Sequence, residues 1–336
     1  MRKSPTVLII GCGSIGERHL RCFKNTDRAS VNACDTNPAL LARMAETYGV
    51  PTNDNWREAF AAGVDAAVIC TPAPFHVEMA AAALNAGAHV LIEKPLSHSL
   101  AGIDGLLAAR DRCARHATVA YVYHCHPVLA AAREFLRGGA FGPILQATAV
   151  SGQDFPFFRP AYAQTYYRDH SLGGGAIQDA ITHAVNWVES VLGPTSSVLC
   201  DSAHLALPGV AVEDTVHVAL RHAGGALSSL TLNQFQAPNE TTYQFNASGG
   251  SVKIEMHRAR WGTFARGAAD WTWHEIPPVD RDGPFMLQAN AFLDLLEGKP
   301  SRLCSLEAAI ATLRFNLAAL ASSASGHRVD CASLHA

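Results

Sequence analysis

Between Gly173 and Asn186 the chain reads GGGAIQDAITHAVN, three glycines that suit a loop and then a helical pattern carrying Asp179 and His183. Residues at i and i+4 share a helix face, so this acid and this imidazole stand one turn apart. Two readings fit the stretch alone. The pair marks a solvated helix face, or it faces a substrate whose proton has to be moved. A second reactive position is Lys94 in AHVLIEKP, a lysine at the end of an apolar run. Burial there penalises the charged amine, which suits a share in proton transfer. The bland alternative is a Glu93–Lys94 surface ion pair, but neighbouring residues on a strand end point apart.

These residues need elements to hold them. The first third of the chain alternates short apolar runs with helical patterns. Strands are predicted over Thr6–Ile10, Val31–Asp35, Asp65–Cys70, Ala88–Ile92 and Thr118–Tyr123. Helices are predicted over Ser14–Lys24, Pro38–Tyr48, His76–Ala86 and Leu100–Arg115. Such alternation means α/β architecture, a parallel sheet covered on both faces. After Tyr123 the pattern changes. Ile144–Val150 alternates like a strand, and two predicted hairpins turn at Gly224-Gly225 and Gly249-Gly250. The second domain is therefore α+β, a mainly antiparallel sheet with a few helices. Helices close the chain at Met286–Glu297 and Leu306–Ala321, and the last dozen residues read as frayed. The division falls at 1–123 and 124–336.

GCGSIGERH follows the first strand, and Gly11, Gly13 and Gly16 match G-x-G-x-x-G. Gly11 allows a tight turn, and Gly13 lets the backbone approach a pyrophosphate. Ser14 and Ile15 open the helix whose N-terminus takes the charge, and Gly16 lets helix and strand pack closely. Asp35 stands nineteen residues after Gly16, where an acid bonds the ribose 2′-hydroxyl of a dinucleotide. The competing reading is a glycine turn that binds nothing. A carboxylate at Asp35 repels a 2′-phosphate and no arginine stands beside it in CDTNP, which favours NAD over NADP. In an open parallel sheet, ligands bind outside the carboxyl ends of the strands. That places Thr71, Pro72 and His76 after one strand, and Glu93 and Lys94 after another, on the cofactor side.

In this order GCGSIGERH, CTPAPFH, EKP and GGGAIQDAITH resemble the Gfo/Idh/MocA oxidoreductases, and the resemblance covers most of the chain. It implies a Rossmann doubly wound sheet followed by an α/β domain with an open sheet. It also implies hydride transfer between nicotinamide and a sugar, inositol or related polyol. Lys94, Asp179 and His183 occupy the positions of the family's catalytic set. In that arrangement His183 is the base, Lys94 orients the hydroxyl, and Asp179 binds a neighbouring hydroxyl or tunes the imidazole. Lys94 as the base itself stands beside it. The family's open sheet implies a homodimer or homotetramer.

Two stretches depart from the resemblance or extend it. The run HCHP keeps His126 but has His124 where relatives often carry arginine, which makes His124 a candidate substrate contact. The aromatic run DFPFFRPAYAQTYYRDH offers Tyr167 and Arg168 as sugar contacts, or else it is a packing loop. Two other functions share these motifs. One is an NAD-dependent glycosidase that oxidises a ring carbon transiently. The other is a non-catalytic nucleotide-sensing regulator, which has no need of Lys94 and His183 as a proton path.

Composition sets the remaining bounds. The 336 residues suggest two domains. Charged residues make up 16%, low against the usual ~25%, which argues against disorder. A net charge of −3 without a basic run argues against a nucleic-acid partner. The start MRKSPTVLII has too short an apolar run for a signal peptide, and no segment reaches the ~18 apolar residues of a membrane span. Nine cysteines, an odd count without a Cys-x-x-Cys pair, point to a reducing cytoplasm with no disulfide framework and no metal site.

Overall fold

The computed structural model describes residues 4–334. The basic residues Arg2 and Lys3 of the signal-like start lie outside them. Two units divide the chain. The first holds the residues up to Cys125 together with Val279–Leu306, and the second holds His126–Pro278 with the residues from Glu307 on.

In the first unit β1 (Thr6–Ile10) is covered on both faces, so it reads as an unbroken apolar string. The helix α1 (Ser14–Lys24) carries Glu17 in its first turn and Arg21 and Lys24 in its last, as the helix dipole favours. After β2 (Ser30–Cys34), α2 (Pro38–Tyr48) starts where Asn37 accepts the Ala39 N–H at 2.9 Å. It ends at Gly49, φ +64°. Then come β3 (Thr52–Asn53) and α3 (Trp56–Ala61), both too short to leave a periodic pattern. They are followed by β4 (Ala66–Ile69), α4 (His76–Asn85), β5 (His89–Ile92), α5 (Ile103–Cys113) and β6 (Ala117–Val119). These strands are parallel in the order β6-β5-β4-β1-β2-β3. The order reverses between β1 and β4, so the loops after them open the ligand crevice of a doubly wound sheet.

Up to residue 125 the predicted boundaries hold within one residue except at two elements. The α5 helix is shorter because Gly102 at φ +77° sets its start and Ala114 at φ +49° its end. The predicted strand to Tyr123 stops at Val119, because the Tyr121 N–H bonds back to the Val119 carbonyl at 2.8 Å. The chain then enters a 3-10 turn, Val122–Cys125.

The second unit opens with α6 (Pro127–Arg137), β7 (Ile144–Asp154) and a short α7 (Phe155–Phe158). A π-helical turn, Ala176–Ile181, runs directly into α8 (Thr182–Leu192). The strands β8 (Thr195–Ala203), β9 (Thr215–His222), β10 (Leu227–Asn233), β11 (Phe235–Ala247), β12 (Gly250–Glu255), β13 (Arg260–Ala265) and β14 (Thr272–Glu275) follow. With β7 they form a sheet in the order β14-β13-β12-β11-β7-β10-β9-β8, antiparallel except for the β7–β10 pair. Both glycine hairpins are present. The sequence reading missed β8 because its strand buries Val198 and Cys200 but exposes Leu199, which breaks the apolar alternation. One face of the sheet packs on α8, where Trp187 lies 5.0 Å from the Tyr243 ring and 5.6 Å from that of Phe245. Each such burial contributes roughly 1.5–3 kcal/mol. The opposite face carries Val150, Leu199 and Leu227, all exposed.

After Pro278 the chain returns to the first unit. There α9 (Gly283–Leu296) packs Phe292 and Leu293 with Leu20 and Phe23 of α1. Asp282 accepts from Arg18 Nε at 3.1 Å and from Arg21 Nη2 at 2.8 Å. Next β15 (Cys304–Ser305) pairs antiparallel with β6. The division expected at 1–123 and 124–336 differs from these two units chiefly by the return of Val279–Leu306 to the first. An apolar helix face requires a cover, but its sequence does not say which sheet supplies it. The last helix, α10 (Leu306–Ser325), packs in the second unit, where Asn186 donates to Thr312 Oγ1 at 2.9 Å. The expected frayed end instead contains β16 (Val329–Asp330), paired with β8, and a buried Cys331. Among the described residues no helix is long and apolar enough to cross a membrane.

Candidate active site

At the carboxyl end of β1 the three glycines have separate reasons to be there. Gly11 sits at φ +91°, and a Cβ on it would lie 2.7 Å from the Cys70 carbonyl oxygen. A Cβ on Gly16 would lie 1.7 Å from the Gly11 carbonyl oxygen. The chain itself demands these two. Gly13 is exposed, and a Cβ on it meets nothing within 4 Å. It is also the N-cap of α1 and supplies no side-chain cap. The N–H groups of Ser14, Ile15 and Gly16 have no carbonyl to bond within their own helix, so an uncapped, positive helix end stands at this loop.

Asp35 follows β2. Its carboxylate accepts the Cys12 N–H at 2.7 Å and the Asn37 N–H at 2.8 Å. It therefore ties the glycine loop to the start of α2. A carboxylate can accept about four hydrogen bonds, so capacity for a ribose hydroxyl is left.

Thr71 and Pro72 follow β4, and Glu93 and Lys94 follow β5, at the same end of the sheet. His76 lies beneath these turns and is buried. Its Nε2 is 2.7 Å from the Thr71 carbonyl oxygen and its Nδ1 is 3.0 Å from that of Pro95. Burial lowers its pKa more than the Thr71 and Pro95 carbonyls raise it, and the ring is wedged between both turns from inside. Glu93 is also buried. Its Oε1 is 2.7 Å from His19 Nε2, and its Oε2 accepts the Lys94 N–H at 3.0 Å. Burial pushes the carboxyl pKa up, but the His19 hydrogen bond and the charges of His19 and Lys94 outweigh it and hold Glu93 below its ordinary range. Lys94 is half-buried and precedes a cis peptide to Pro95. His124 lies in the 3-10 turn after β6 and is buried.

In the second unit the glycine run allows close approach. A Cβ on Gly174 would lie 2.3 Å from the Tyr167 carbonyl oxygen. One on Gly175, at φ +86°, would lie 2.7 Å from Glu213 Oε1 and 2.9 Å from His170 Nε2. Glu213, itself buried, supplies the acceptors this helix start lacks. Its carbonyl takes the Ala176 N–H at 3.0 Å, and its Oε1 takes the Ile177 N–H at 2.8 Å. His170 Nε2 lies 2.5 Å from Glu213 Oε2, and that bond raises the His170 pKa. Asp179 sits in the π turn and His183 in the first turn of α8, both half-buried. The π turn winds wider than an α turn, so the pair departs from ideal i, i+4 spacing. Such turns inside helices are frequent at functional sites. The Tyr166 hydroxyl donates to Asp179 Oδ1 at 2.6 Å.

The comparison with known proteins bears on both units. Residues 6–121 match the oxidoreductase family with an NAD-binding Rossmann fold, and residues 129–253 match the GFO/IDH/MocA C-terminal domain. Together these matches cover more than half of the chain. The chain belongs to the Gfo/Idh/MocA oxidoreductase family. It is 26% identical over 251 residues to the levoglucosan dehydrogenase of Pseudarthrobacter phenanthrenivorans, an alignment covering 67% of this chain and 64% of that protein. The chain thus spans just under two thirds of that relative's length. It is 26% identical over 265 residues to the inositol 2-dehydrogenase of Rhizobium meliloti, covering 76% of this chain and 74% of that one. The structure of a levoglucosan dehydrogenase in complex with NADH and levoglucosan shares the fold at a TM-score of 0.88 and 21% identity, over 98% of this chain and 100% of that one.

The first unit of this family member is therefore an NAD-binding domain, and its residues fit that group. The loop at Gly13 leaves a methyl-sized space in front of an uncapped helix end, where a pyrophosphate finds N–H donors. Three other sequence assignments change. His76 and Glu93 brace the turns from inside and offer the cofactor no exposed side chain. Tyr167 is buried among Phe155, Tyr162, Leu207 and Val212, and its hydroxyl donates to Gln234 Oε1, so it is a packing residue and not a sugar contact. Its neighbour Tyr166 is the one that reaches Asp179. Arg168 is exposed on the 3-10 turn Tyr166–Arg168. The sequence reading also missed His170 and Glu213. The histidine stood three residues before the glycines, whereas Glu213 had no local signal.

Proposed function

We propose that this protein is an NAD-dependent dehydrogenase acting on a CH–OH group of a sugar, inositol or related polyol. The observation that carries the reading is the Asp179–His183 pair at a π-to-α junction, with the Tyr166 phenol on the acid, in a chain whose first unit is an NAD-binding domain. NAD, when bound, supplies the hydride acceptor. Gly11, Gly13, Ser14, Ile15 and Gly16 hold its phosphates, Asp35 its ribose, and Thr71, Pro72 and Lys94 line the sheet end. Asp35 favours NAD over NADP by charge. His183 takes the hydroxyl proton as hydride leaves carbon. Lys94 orients that hydroxyl, and Asp179, steadied by Tyr166, accepts a hydrogen bond from a neighbouring hydroxyl. Arg168 remains assigned to the substrate side, whereas His124 is buried like Glu93 and offers the substrate no exposed side chain.

The exposed apolar side chains Val150, Leu199 and Leu227 on one sheet face support a homodimer or homotetramer that covers them. Nine free thiols support a reducing cytoplasm.

The test is NADH formation by the purified protein across levoglucosan, myo-inositol, pentoses and sugar acids, with substrate loss followed in parallel. NADH accumulation with one class is the expected result, and His183→Ala lowers that turnover about 10²–10⁴-fold. Substrate cleavage without net NADH replaces this reading with the glycosidase. NAD binding with no turnover of any polyol replaces it with the nucleotide-sensing regulator.

A further inference from the structure

The reading of Lys94 as a residue that serves the reaction leaves open what holds it. Its partner in the EKP run, Glu93, points inward. Both Glu93 oxygens are used, one on His19 Nε2 at 2.7 Å and the other on the Lys94 backbone N–H at 3.0 Å. His19 belongs to α1 and stands three residues after Gly16, the last glycine of the nucleotide loop. Its ring is fixed by edge-on contact with Phe285, centroids 5.6 Å apart. The helix itself is pinned to Asp282 through Arg18 and Arg21. On the far side of the turn, His76 Nδ1 holds the Pro95 carbonyl.

We propose that His19 and Glu93 are a positioning pair, which transmits the placement of the nucleotide-binding helix to the backbone of Lys94. Neither touches substrate; both act through Lys94. The pair is buried, so water cannot replace its hydrogen bonds when one partner is lost. A lysine at an exposed turn would not need such a mount. A lysine whose amine must meet a bound group at one place does, because a shift of ~1 Å is enough to spoil a proton path. The proposal rests on the reading of Lys94 as part of the reaction site, and its test does not require a substrate.

The test is limited acetylation of the full chain by acetic anhydride, with peptide mass spectrometry giving the ratio of label at Lys94 to label at Lys253. Lys253 lies on β12 of the second unit and serves as the internal reference. NADH affinity and circular dichroism are measured on the same samples. His19→Leu frees the turn, and the ratio rises about fivefold, the population change for one lost net hydrogen bond. His19→Gln can donate from near the place of the imidazole Nε2 and keeps the ratio within about twofold of the parent. If His19→Leu does not fold, Glu93→Gln carries the test, because its NH2 group replaces one of the two acceptor oxygens that hold the His19 ring and the Lys94 N–H, and its ratio also rises. An unchanged ratio in folded His19→Leu or Glu93→Gln overturns the proposal. So does a His19→Gln that behaves like His19→Leu. A ratio that moves as expected in a protein that oxidises no polyol overturns only the proposed reaction and leaves the pair standing.

Discussion

Gly13→Ala separates binding from folding at the nucleotide loop. Gly13 sits at φ −66°, which alanine adopts without strain, and its Cβ would meet no atom of the chain within 4 Å. Replacing glycine at a compatible position stabilises by about 0.4–1 kcal/mol through the unfolded chain. Alanine is the poorer N-cap by roughly 0.5–1 kcal/mol. The two offset, so without ligand the melting temperature stays within about 2 °C. Binding responds differently. A phosphate oxygen about 2.9 Å from the loop N–H groups leaves no room for a methyl. A displacement that breaks two hydrogen bonds to a charged group costs about 3 kcal/mol or more, which is roughly 100-fold in Kd. Calorimetric titration with NADH reads this directly. A thermal melt at fixed NADH reads it again, because ligand stabilisation follows RT ln(1 + [L]/Kd). Gly16→Ala is the contrast. Its Cβ would lie 1.7 Å from the Gly11 carbonyl oxygen, so it lowers the melting temperature even without ligand. An unchanged NADH affinity in Gly13→Ala refutes the placement of the pyrophosphate at this helix end.

Three further outcomes concern two buried carboxyl groups and the exposed His170 that pairs with buried Glu213. Burial pushes the Asp214 pKa up, but the N–H groups of Leu207, Ala206 and Leu205 and the Thr215 hydroxyl together hold it below its ordinary value. Its contribution to stability is present above the unfolded carboxyl pKa of about 3.9 and is lost as pH falls through the lower folded value. Asp214→Asn lowers the unfolding free energy by about 2–4 kcal/mol at neutral pH, read by urea titration, and the difference shrinks in acid. Glu189 is the opposite case, because burial raises its pKa despite bonds from Thr312 and Thr195. Its native state favours the neutral acid, and stability falls as pH rises from the unfolded pKa to the folded one. Glu189→Gln therefore melts higher than the parent at pH 7.5 and no higher at pH 4. Finally, the Glu213 bond raises the His170 pKa. That brace is intact below the unfolded pKa of about 6.5 and weakens as pH rises through the folded value. His170→Phe, which lacks the bond at every pH, shows a flatter alkaline loss of hydrogen-exchange protection at Ala176 and Ile177.

The sequence alone determined the parts of this protein that depend on near neighbours. Strands buried on both faces, such as β1, write themselves as apolar strings. The glycines of both hairpins mark turns by their own backbone preferences. Gly11, Gly13 and Gly16 with Asp35 pointed to a nucleotide site because the whole pattern lies within one βαβ unit. Lys94, Asp179 and His183 stood out by residue type at element ends. Only the tertiary structure decided what depends on distant partners. Which of two adjacent tyrosines turns inward is settled by Gln234, sixty-seven residues from Tyr167. Glu93 faces the interior because His19, seventy-four residues away, meets it there. The helix Gly283–Leu296 carries an apolar face that any apolar layer could cover, and α1 packs on it. The start of the Asp179 helix is held by Glu213, thirty-six residues beyond Ile177. In each case the local pattern states that a group must be covered or bonded, and the partner comes from the three-dimensional packing of segments remote in sequence.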